Sequence, residues 1–449
     1  MNIENKLKFI EKLLKNKKDL NYFFNIYFQP KNIDIYKLKD LWSDFVENWD
    51  KNIVNFYVHT PFCVEKCKFC QYHWFKIEKI DSLNNYVEYL KNYITLFQNE
   101  ISKINFSWLY FWWGTPSIYL EEQLDNLLSF IFTRVNFNWK YYKEFELNPV
   151  STTINKIDIL FKYWFNRITF WLQSFNKPTL EKEWRIYCSP LHLKNLVTHA
   201  KSKWFKQINA DLIIWLNDEK KEDILNSLKI MMDVNPHTIT IYTLQENKEK
   251  SSLYWKNEEE YYKNVREVHE FLIKNIRENN LYFYPNIEEN SLNTGIVLFL
   301  KSYKLPELIR YDTHVNWVES IFWLWFWAYS NIFSYWKYYI PDKIYNIEDI
   351  SIKYQETLLK DELDIFLCRS IQWWEIDIKF FIKNFNYNIL IEKKDEIDFL
   401  IFNNKIKIIN DSIIFNTLNI KETYIYWFLF FDVKFIIKHS LFIDKNFKK

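Results

Sequence analysis

Three cysteines carry the clearest chemical signal in the chain. In Tyr57-Val-His-Thr-Pro-Phe-Cys63-Val-Glu-Lys-Cys67-Lys-Phe-Cys70 they are spaced C-x3-C-x2-C. Thiolates are soft ligands that suit iron–sulfur clusters or zinc. A structural zinc site wants four ligands, and the nearest fourth, His73, gives a spacing that fits no zinc pattern. Three thiolates on a four-iron cluster leave one iron open to a substrate molecule. The spacing favours an iron–sulfur site, with zinc and inert core cysteines as the alternatives. Cys188 and Cys368 stand apart and read as small buried hydrophobes.

The elements that must position this loop can be read from periodicity. Strand patterns run over Ile53–His59, Leu109–Phe111, Glu144–Leu147, Arg167–Leu172, Gln207–Ile214 and Thr238–Leu244. Helical patterns lie between them. One is capped by Asp81 and Ser82 and carries the apolar stripe Leu83, Tyr86, Val87, Leu90, Ile94, Phe97 and Ile101. Another follows Thr153, and a third spans Glu222–Met232. Repeated βα units predict an α/β fold with a parallel sheet, open or closed into a barrel. Ligands in such folds sit at the C-terminal ends of the strands. Residues 1–50 read as a helical extension, 51–290 as the βα core, and 291–449 as a smaller α+β domain. In that last part a helical segment, Asp349–Ser370, precedes strand-like runs at Ile406–Ile409 and Ser412–Phe415. The aromatic run Tyr424–Phe431 reads as core. No repeat of solenoid length occurs.

Composition bounds the rest. The chain has 449 residues, 49% of them hydrophobic, and a net charge of +2. That balance gives no reason to expect a nucleic-acid partner. The N-terminus, MNIENKLKFIEKLLKNKKDL, has no signal-peptide pattern, and with five cysteines a reducing, cytoplasmic location is expected. One pair of counts is abnormal: Gly 2 and Trp 21. An average chain of this length would hold about 30 glycines. An interfacial membrane protein rich in Trp is one reading, and Ser320–Trp336 is uncharged apart from its length falling just short of a span of about 20 residues. The other is that Trp stands where the working protein has glycine, as when UGA codons assigned to glycine are translated as tryptophan. Glycine and tryptophan together make 23 residues, an ordinary glycine content. The abundance of Asn, Ile, Lys, Phe and Tyr fits an AT-rich gene.

The cysteine spacing after a first strand resembles the signature of radical S-adenosylmethionine (SAM) enzymes. The preceding Tyr57-x-His59-x-Pro-Phe-Cys63 is similar to the oxygen-independent coproporphyrinogen III oxidase family (HemN/HemW-like), over roughly residues 53–330. The resemblance implies a partial (βα)6-type radical SAM barrel followed by a HemN-like C-terminal domain. It also sharpens the glycine question. The family's Gly-Gly-Gly-Thr-Pro stands here as Trp112-Trp113-Gly114-Thr115-Pro116. Its Phe-Gly-x-Gln-Ser-Phe is Phe170-Trp171-Leu172-Gln173-Ser174-Phe175. Its Asp-Leu-Ile-x-Gly-Leu is Asp211-Leu212-Ile213-Ile214-Trp215-Leu216, without the proline that usually follows. Its Gly-x-Gly-x-Gly-Ala-x-Ser is Trp323-Leu324-Trp325-Phe326-Trp327-Ala328-Tyr329-Ser330. Seven tryptophans fall on family glycine positions, with Gly114 retained as glycine, which favours the recoding reading. It turns Ser320–Trp336 into a glycine-rich turn. Trp164, Trp184, Trp204 and Trp374 are further candidates, and Trp317 reads as a genuine tryptophan.

By the same resemblance, Cys63, Cys67 and Cys70 hold a [4Fe–4S] cluster. SAM binds its open iron and is cleaved reductively to methionine and a 5′-deoxyadenosyl radical. Tyr57, Phe69, Trp113 (as glycine), Gly114, Thr115, Glu146, Gln173, Arg185 and Asp211 match cofactor-contacting positions, and His59 braces the cysteine loop. The family implies a tetrapyrrole-like small-molecule substrate and an electron donor such as flavodoxin or ferredoxin. Coproporphyrinogen oxidases carry a fourth cysteine where this chain has Tyr72. The heme-chaperone branch carries His-Asn-x-x-Tyr-Trp where this chain has Asp312-Thr-His314-Val-Asn316-Trp317. Two functions follow: a radical SAM enzyme acting on a porphyrin-related substrate, or a non-catalytic heme-binding chaperone on the same fold.

Overall fold

The computed structural model describes residues 2–14, 30–48, 54–70, 75–77, 80–216, 219–244, 295–302, 320–324, 329–341, 346–370, 375–416 and 425–433, with a few positions between 267 and 283. Its frame is one sheet of thirteen strands. The six strands expected from the sequence are β2 (Val54–Thr60), β3 (Leu109–Gly114), β4 (Lys143–Leu147), β5 (Arg167–Gln173), β6 (Gln207–Ile214) and β7 (Thr238–Thr243), preceded by β1 (Lys31–Ile33). Six more follow: β8 (Tyr282–Phe283), β9 (Gly295–Leu300), β10 (Ser320–Leu324), β11 (Tyr329–Ile332), β12 (Trp336–Tyr339) and β13 (Ile352–Glu356). The order is β1-β13-β12-β11-β10-β2-β3-β4-β5-β6-β7-β9-β8. The central run from β10 to β7 is parallel, and both flanks are antiparallel. Strands β2 and β4 are buried at every position, as a sheet covered on both faces must be.

The crossovers are helical. They include α3 (Ile80–Leu96), α4 (Glu121–Phe132), α5 (Ile154–Lys162), α6 (Lys177–Lys182), α7 (Pro190–Ser202) and α8 (Lys221–Val234), after α1 (Ile3–Leu14) and α2 (Ile35–Asn48) in the N-terminal extension. Thr153 caps α5 by accepting from the Lys156 N–H, and Ser189 caps α7 by accepting from the His192 N–H, with Pro190 in the first turn. The sheet shares one core with α2, α3, α4, α5, α7 and α8, while Leu180 of α6 packs in a small separate cluster with Leu216 and Leu244. A second core gathers Ile10, α9 (Leu359–Ser370), α10 (Ile378–Phe385), α11 (Lys394–Phe402), the small sheet of β14 (Glu375–Asp377), β15 (Ile406–Ile409) and β16 (Ser412–Phe415), and the run Trp427–Phe431. The aromatic run is therefore core, as expected.

Two expectations are corrected. The segment 349–370 is not one helix: Ile352–Glu356 is strand β13, and only Leu359–Ser370 is helical. Ile352 and Tyr354 are buried while Lys353 and Gln355 are half-buried, the period of two that a strand shows. Nor is the stretch from Ser320 all turn, and 325–328 lie outside the described residues. Ser320–Leu324 is a fully buried strand parallel to β2, and β11 and the start of β12 follow. Trp325, Trp327 and Trp374 lie outside the described residues. No described helix is long and apolar enough to cross a membrane.

Candidate functional site

The site is built at the C-terminal ends of the parallel strands. The cysteine loop leaves β2 and is tied down by backbone bonds: Cys70 N–H donates to Cys67 O (3.0 Å), Ile77 N–H to Cys63 O (3.2 Å) and Lys68 N–H to Glu183 O (3.1 Å). Cys63, Cys67 and Cys70 are half-buried and unpaired by any disulfide. Burial pushes the Cys63 thiol up to about 11, a hydrogen bond with Thr115 opposes this, and Cys70 and Cys67 add to the rise. Cys63 Sγ is 3.2 Å from Thr115 Oγ1. Arg185 reaches across from the end of α6: its Nη1 donates toward Cys67 Sγ at 3.5 Å, its Nε to Leu172 O at 3.2 Å and its Nη2 to Trp171 O.

Among the described residues no three Cys, His, Asp or Glu side chains converge tightly enough for a single metal ion. A cluster makes a different demand, since each thiolate binds its own iron and the ligands stay apart. Three half-buried thiols outside any disulfide, with a guanidinium beside one of them, fit such a cluster, because a positive neighbourhood favours the thiolate form. His73 and Tyr72 lie outside the described residues, as do His314 and Trp317.

Beside the loop, β3 must pass very close to β2. Gly114 sits at φ +64°, and a Cβ there would meet Thr60 O at 1.7 Å, so only glycine is accommodated. The β2–β3 register shifts at this point, between His59 and Thr60, and the β5–β6 register shifts between Asp211 and Leu212. Bulges of this kind re-aim side chains next to functional sites. Gln173, the last residue of β5, is held at φ +80° and is buried. Such strain in a non-glycine residue marks a position fixed by its surroundings. Ser174 next to it donates to Glu219 Oε1 at 2.8 Å.

The inward face of five consecutive strands, β3 to β7, meets in one cavity lined by Tyr110, Trp112, Glu144, Glu146, Thr169 and Asp211, together with Asn209 and Tyr242. A sheet whose strands converge in this way is curled, as a partial barrel is. The floor is a polar network. Arg167 Nε lies 3.1 Å from Glu144 Oε1, with both side chains almost wholly buried, and Thr169 Oγ1 donates to the same oxygen at 2.9 Å. Asn209 Nδ2 donates to Asp211 Oδ1 at 2.7 Å, while Thr238 and Thr240 donate to Asn209 Oδ1. Burial pushes the Asp211 carboxyl up to about 7, with Asn209 and Arg167 opposing and Glu144 adding.

Of the sequence-derived site residues, Glu146 and Asp211 line this cavity, while Thr115 and Arg185 stand at the cysteines. Tyr57 is buried in β2, 3.2 Å from His59 Nδ1, and stacks on Trp323 at 4.3 Å between ring centroids. The Tyr86 hydroxyl donates to His59 O at 2.6 Å, and His59 is buried in β2. Phe69 packs on Leu180, Leu216 and Leu244 instead of lining the cavity. Trp113 lies in β3, next to Gly114. Cys188 is buried in the main core. The sequence reading missed Tyr110, Glu144, Thr169, Asn209 and Tyr242. A signal existed: Glu144 and Asn209 lie two residues before Glu146 and Asp211, hence on the same face of their strands.

The cavity is small. It measures about 20 Å³, room for about one water, whereas small-molecule sites occupy about 300–1,000 Å³. The indole of Trp112 forms part of its wall. The residues as written fit a cluster, and the Trp112 indole takes up space beside Glu146 and Asp211 that a larger cofactor would use.

Residues 57–231 match the Radical SAM superfamily profile. The heme chaperone HemW of Buchnera aphidicola (subsp. Acyrthosiphon pisum) is 27% identical over 194 residues, covering 42% of this chain and 50% of that protein. The oxygen-independent coproporphyrinogen III oxidase of Helicobacter pylori (strain J99) is 27% identical over 192 residues, covering 42% of each. The matched stretch thus spans about half the length of these curated relatives. The structure of the coproporphyrinogen III oxidase HemN from Escherichia coli, a radical SAM enzyme, superposes with a TM-score of 0.67 at 15% identity, covering 92% of this chain and 98% of that one. The shared fold is thus the α/β parallel-sheet fold of HemN.

Proposed function

We propose, from a chain whose residues 57–231 form a Radical SAM domain, that Cys63, Cys67 and Cys70 hold a [4Fe–4S] cluster used to cleave SAM reductively, with a tetrapyrrole-related molecule as substrate. The observation that carries the proposal is the loop itself: three half-buried cysteines, none in a disulfide, following β2, with Thr115 on Cys63 and Arg185 on Cys67. When bound, the cluster supplies the electron that breaks SAM's carbon–sulfur bond. The chain's own residues shape and charge the site. Arg185 brings a positive charge to the thiolates. Glu146 and Asp211 supply acceptors for the amino or hydroxyl groups of a polar cofactor. Gly114 keeps β3 against β2 so that Thr115 reaches Cys63. An electron-donor protein of the flavodoxin or ferredoxin type and a cytoplasmic location complete the proposal.

A second reading, a heme-handling chaperone on the same fold, is favoured by the HemW relatives and by Tyr72 in place of a fourth cysteine. Anaerobic reconstitution of the chain with glycine at 112, 113, 171 and 215 separates them. The enzyme reading expects iron–sulfur absorbance that disappears in Cys63→Ala, Cys67→Ala and Cys70→Ala, and 5′-deoxyadenosine formed from SAM. Stoichiometric heme binding with no 5′-deoxyadenosine supports the chaperone. A colourless zinc protein refutes both.

A further inference from the structure

Four tryptophans hold backbone conformations that belong to glycine. Trp164, Trp184, Trp204 and Trp215 have φ of 62°, 56°, 64° and 66°. The other described non-glycine residues at positive φ are Asn235, Asn386, Asn404, Asn410, Asp411, Ser334 and Gln173. Apart from the strained Gln173, these are short polar side chains that tolerate the left-handed region by bonding their own backbone. An indole has no such compensation.

Three of the four stand where helices end. After α5, Trp164 N–H donates to Phe161 O at 2.9 Å and the next N–H, of Phe165, reaches back to Leu160 O at 3.0 Å. After α6, Trp184 N–H donates to Glu181 O at 3.1 Å and Arg185 N–H to Leu180 O at 2.9 Å. After α7, Trp204 N–H donates to Lys201 O at 3.1 Å. This back-bonded ending places one residue in the left-handed region, and that residue is usually glycine. The indoles gain little there, being 67%, 59% and 87% exposed for Trp164, Trp184 and Trp204. Trp164 makes an edge contact with Trp139, and Lys68 lies over Trp184.

A second observation comes from inside the sheet. Trp112 walls a cavity of about 20 Å³ among buried carboxylates and amides, a polar lining that suits a ligand but has no room for one. A third is the composition, with 2 glycines against 21 tryptophans.

We infer that the protein made in its own cell carries glycine at 164, 184, 204 and 215, and at 112, because UGA codons in this gene are read as glycine. The helix ends then acquire the residue their backbone requires, and the cavity loses the side chain that fills it. The inference stands on backbone angles and cavity size and does not depend on the radical SAM reading.

The test is direct. The gene is read at the five codons, and the protein purified from its source organism is digested and its peptides sequenced by mass spectrometry. UGA codons and glycine-containing peptides are expected. UGG codons, or tryptophan in those peptides, overturn the inference. A recombinant comparison adds a physical readout. The triple variant Trp164→Gly/Trp184→Gly/Trp204→Gly should raise the thermal midpoint by roughly 3–6 °C over the chain as written. Trp42→Gly should lower it, since Trp42 is a fully buried helical residue packed on Phe45, Phe322 and Trp336. A triple variant less stable than the chain as written counts against the inference.

Discussion

Asp211→Asn should change how stability depends on pH, in the chain as written, by an amount the structure allows us to estimate. Asp211 is 4% exposed and shares its cavity with Glu144 and Glu146. Its carboxyl is pushed from the ordinary 3.8 up to about 7, chiefly by burial. In this window the folded state holds a proton that the unfolded state has released, so stability falls as pH rises from about 4 to about 7. At 1.36 kcal/mol per pKa step, the loss is about 4 kcal/mol. Asn keeps the shape and an acceptor for Asn209 Nδ2 but has no proton to release. Urea unfolding of both proteins from pH 4 to pH 8 gives the difference curve, in which groups titrating alike in both cancel. The expected curve shows Asp211→Asn gaining about 4 kcal/mol on the parent, rising steadily between about pH 4 and about pH 7 and levelling off above it. A flat difference, or one that favours the parent at high pH, would refute the burial argument. Repeating the pair in a Trp112→Gly background should shrink the effect, because water then reaches the carboxylate and restores its ordinary acidity.

Three further outcomes follow from the same site. Gly114→Ala should destabilise by at least about 3 kcal/mol in urea unfolding, because the new Cβ meets backbone rather than a side chain that can swing away. Arg167→Met strands the buried Glu144 carboxylate and should cost about 3–5 kcal/mol, while Arg167→Met/Glu144→Leu should recover most of that; additivity of the two single changes in a double-mutant cycle would contradict the buried pairing. In the metal-free chain, Cys63 should react with iodoacetamide more slowly at pH 8 than a free thiol and accelerate toward pH 11, read peptide by peptide in the mass spectrometer.

Local pattern revealed the strands that position the site, and long-range pairing hid the rest. Gln207–Ile214 could be delimited from sequence because a β-branched and amide run is bounded by Lys206 and Trp215. Thr153 could be recognised as a helix start because its hydroxyl has one thing to do there. Ser320–Leu324 could not be seen as a strand, because its partner is β2, far away in the chain, and nothing local announces that pairing. Ile352–Glu356 alternates as a strand does but runs almost directly into the helix Leu359–Ser370, and its pairing with β12 and β1 is what sets the two apart. At the site, Glu146 and Asp211 were legible through a family motif, whereas Glu144 and Asn209 needed only the strand's period of two. The glycine-like angles at Trp164, Trp184 and Trp204 emerge only from the backbone, yet they fall on positions that composition had already singled out.

The parallel pairing of β2 with β10 also bears on how the chain is made. About 266 residues separate Val54 from Ser320, its partner across the sheet. At about 5–20 residues per second a ribosome needs roughly 13–53 s to cover that distance. Once β3 (Leu109–Gly114) has been made, β2 can pair on one side, while its other side keeps an unpaired row of backbone donors and acceptors until Ser320 arrives, an open template for aggregation. The nascent chain must shelter this edge, and the amphipathic helix α2 (Ile35–Asn48), already synthesised and later packed through Trp42 onto Phe322 of β10, is placed to do so.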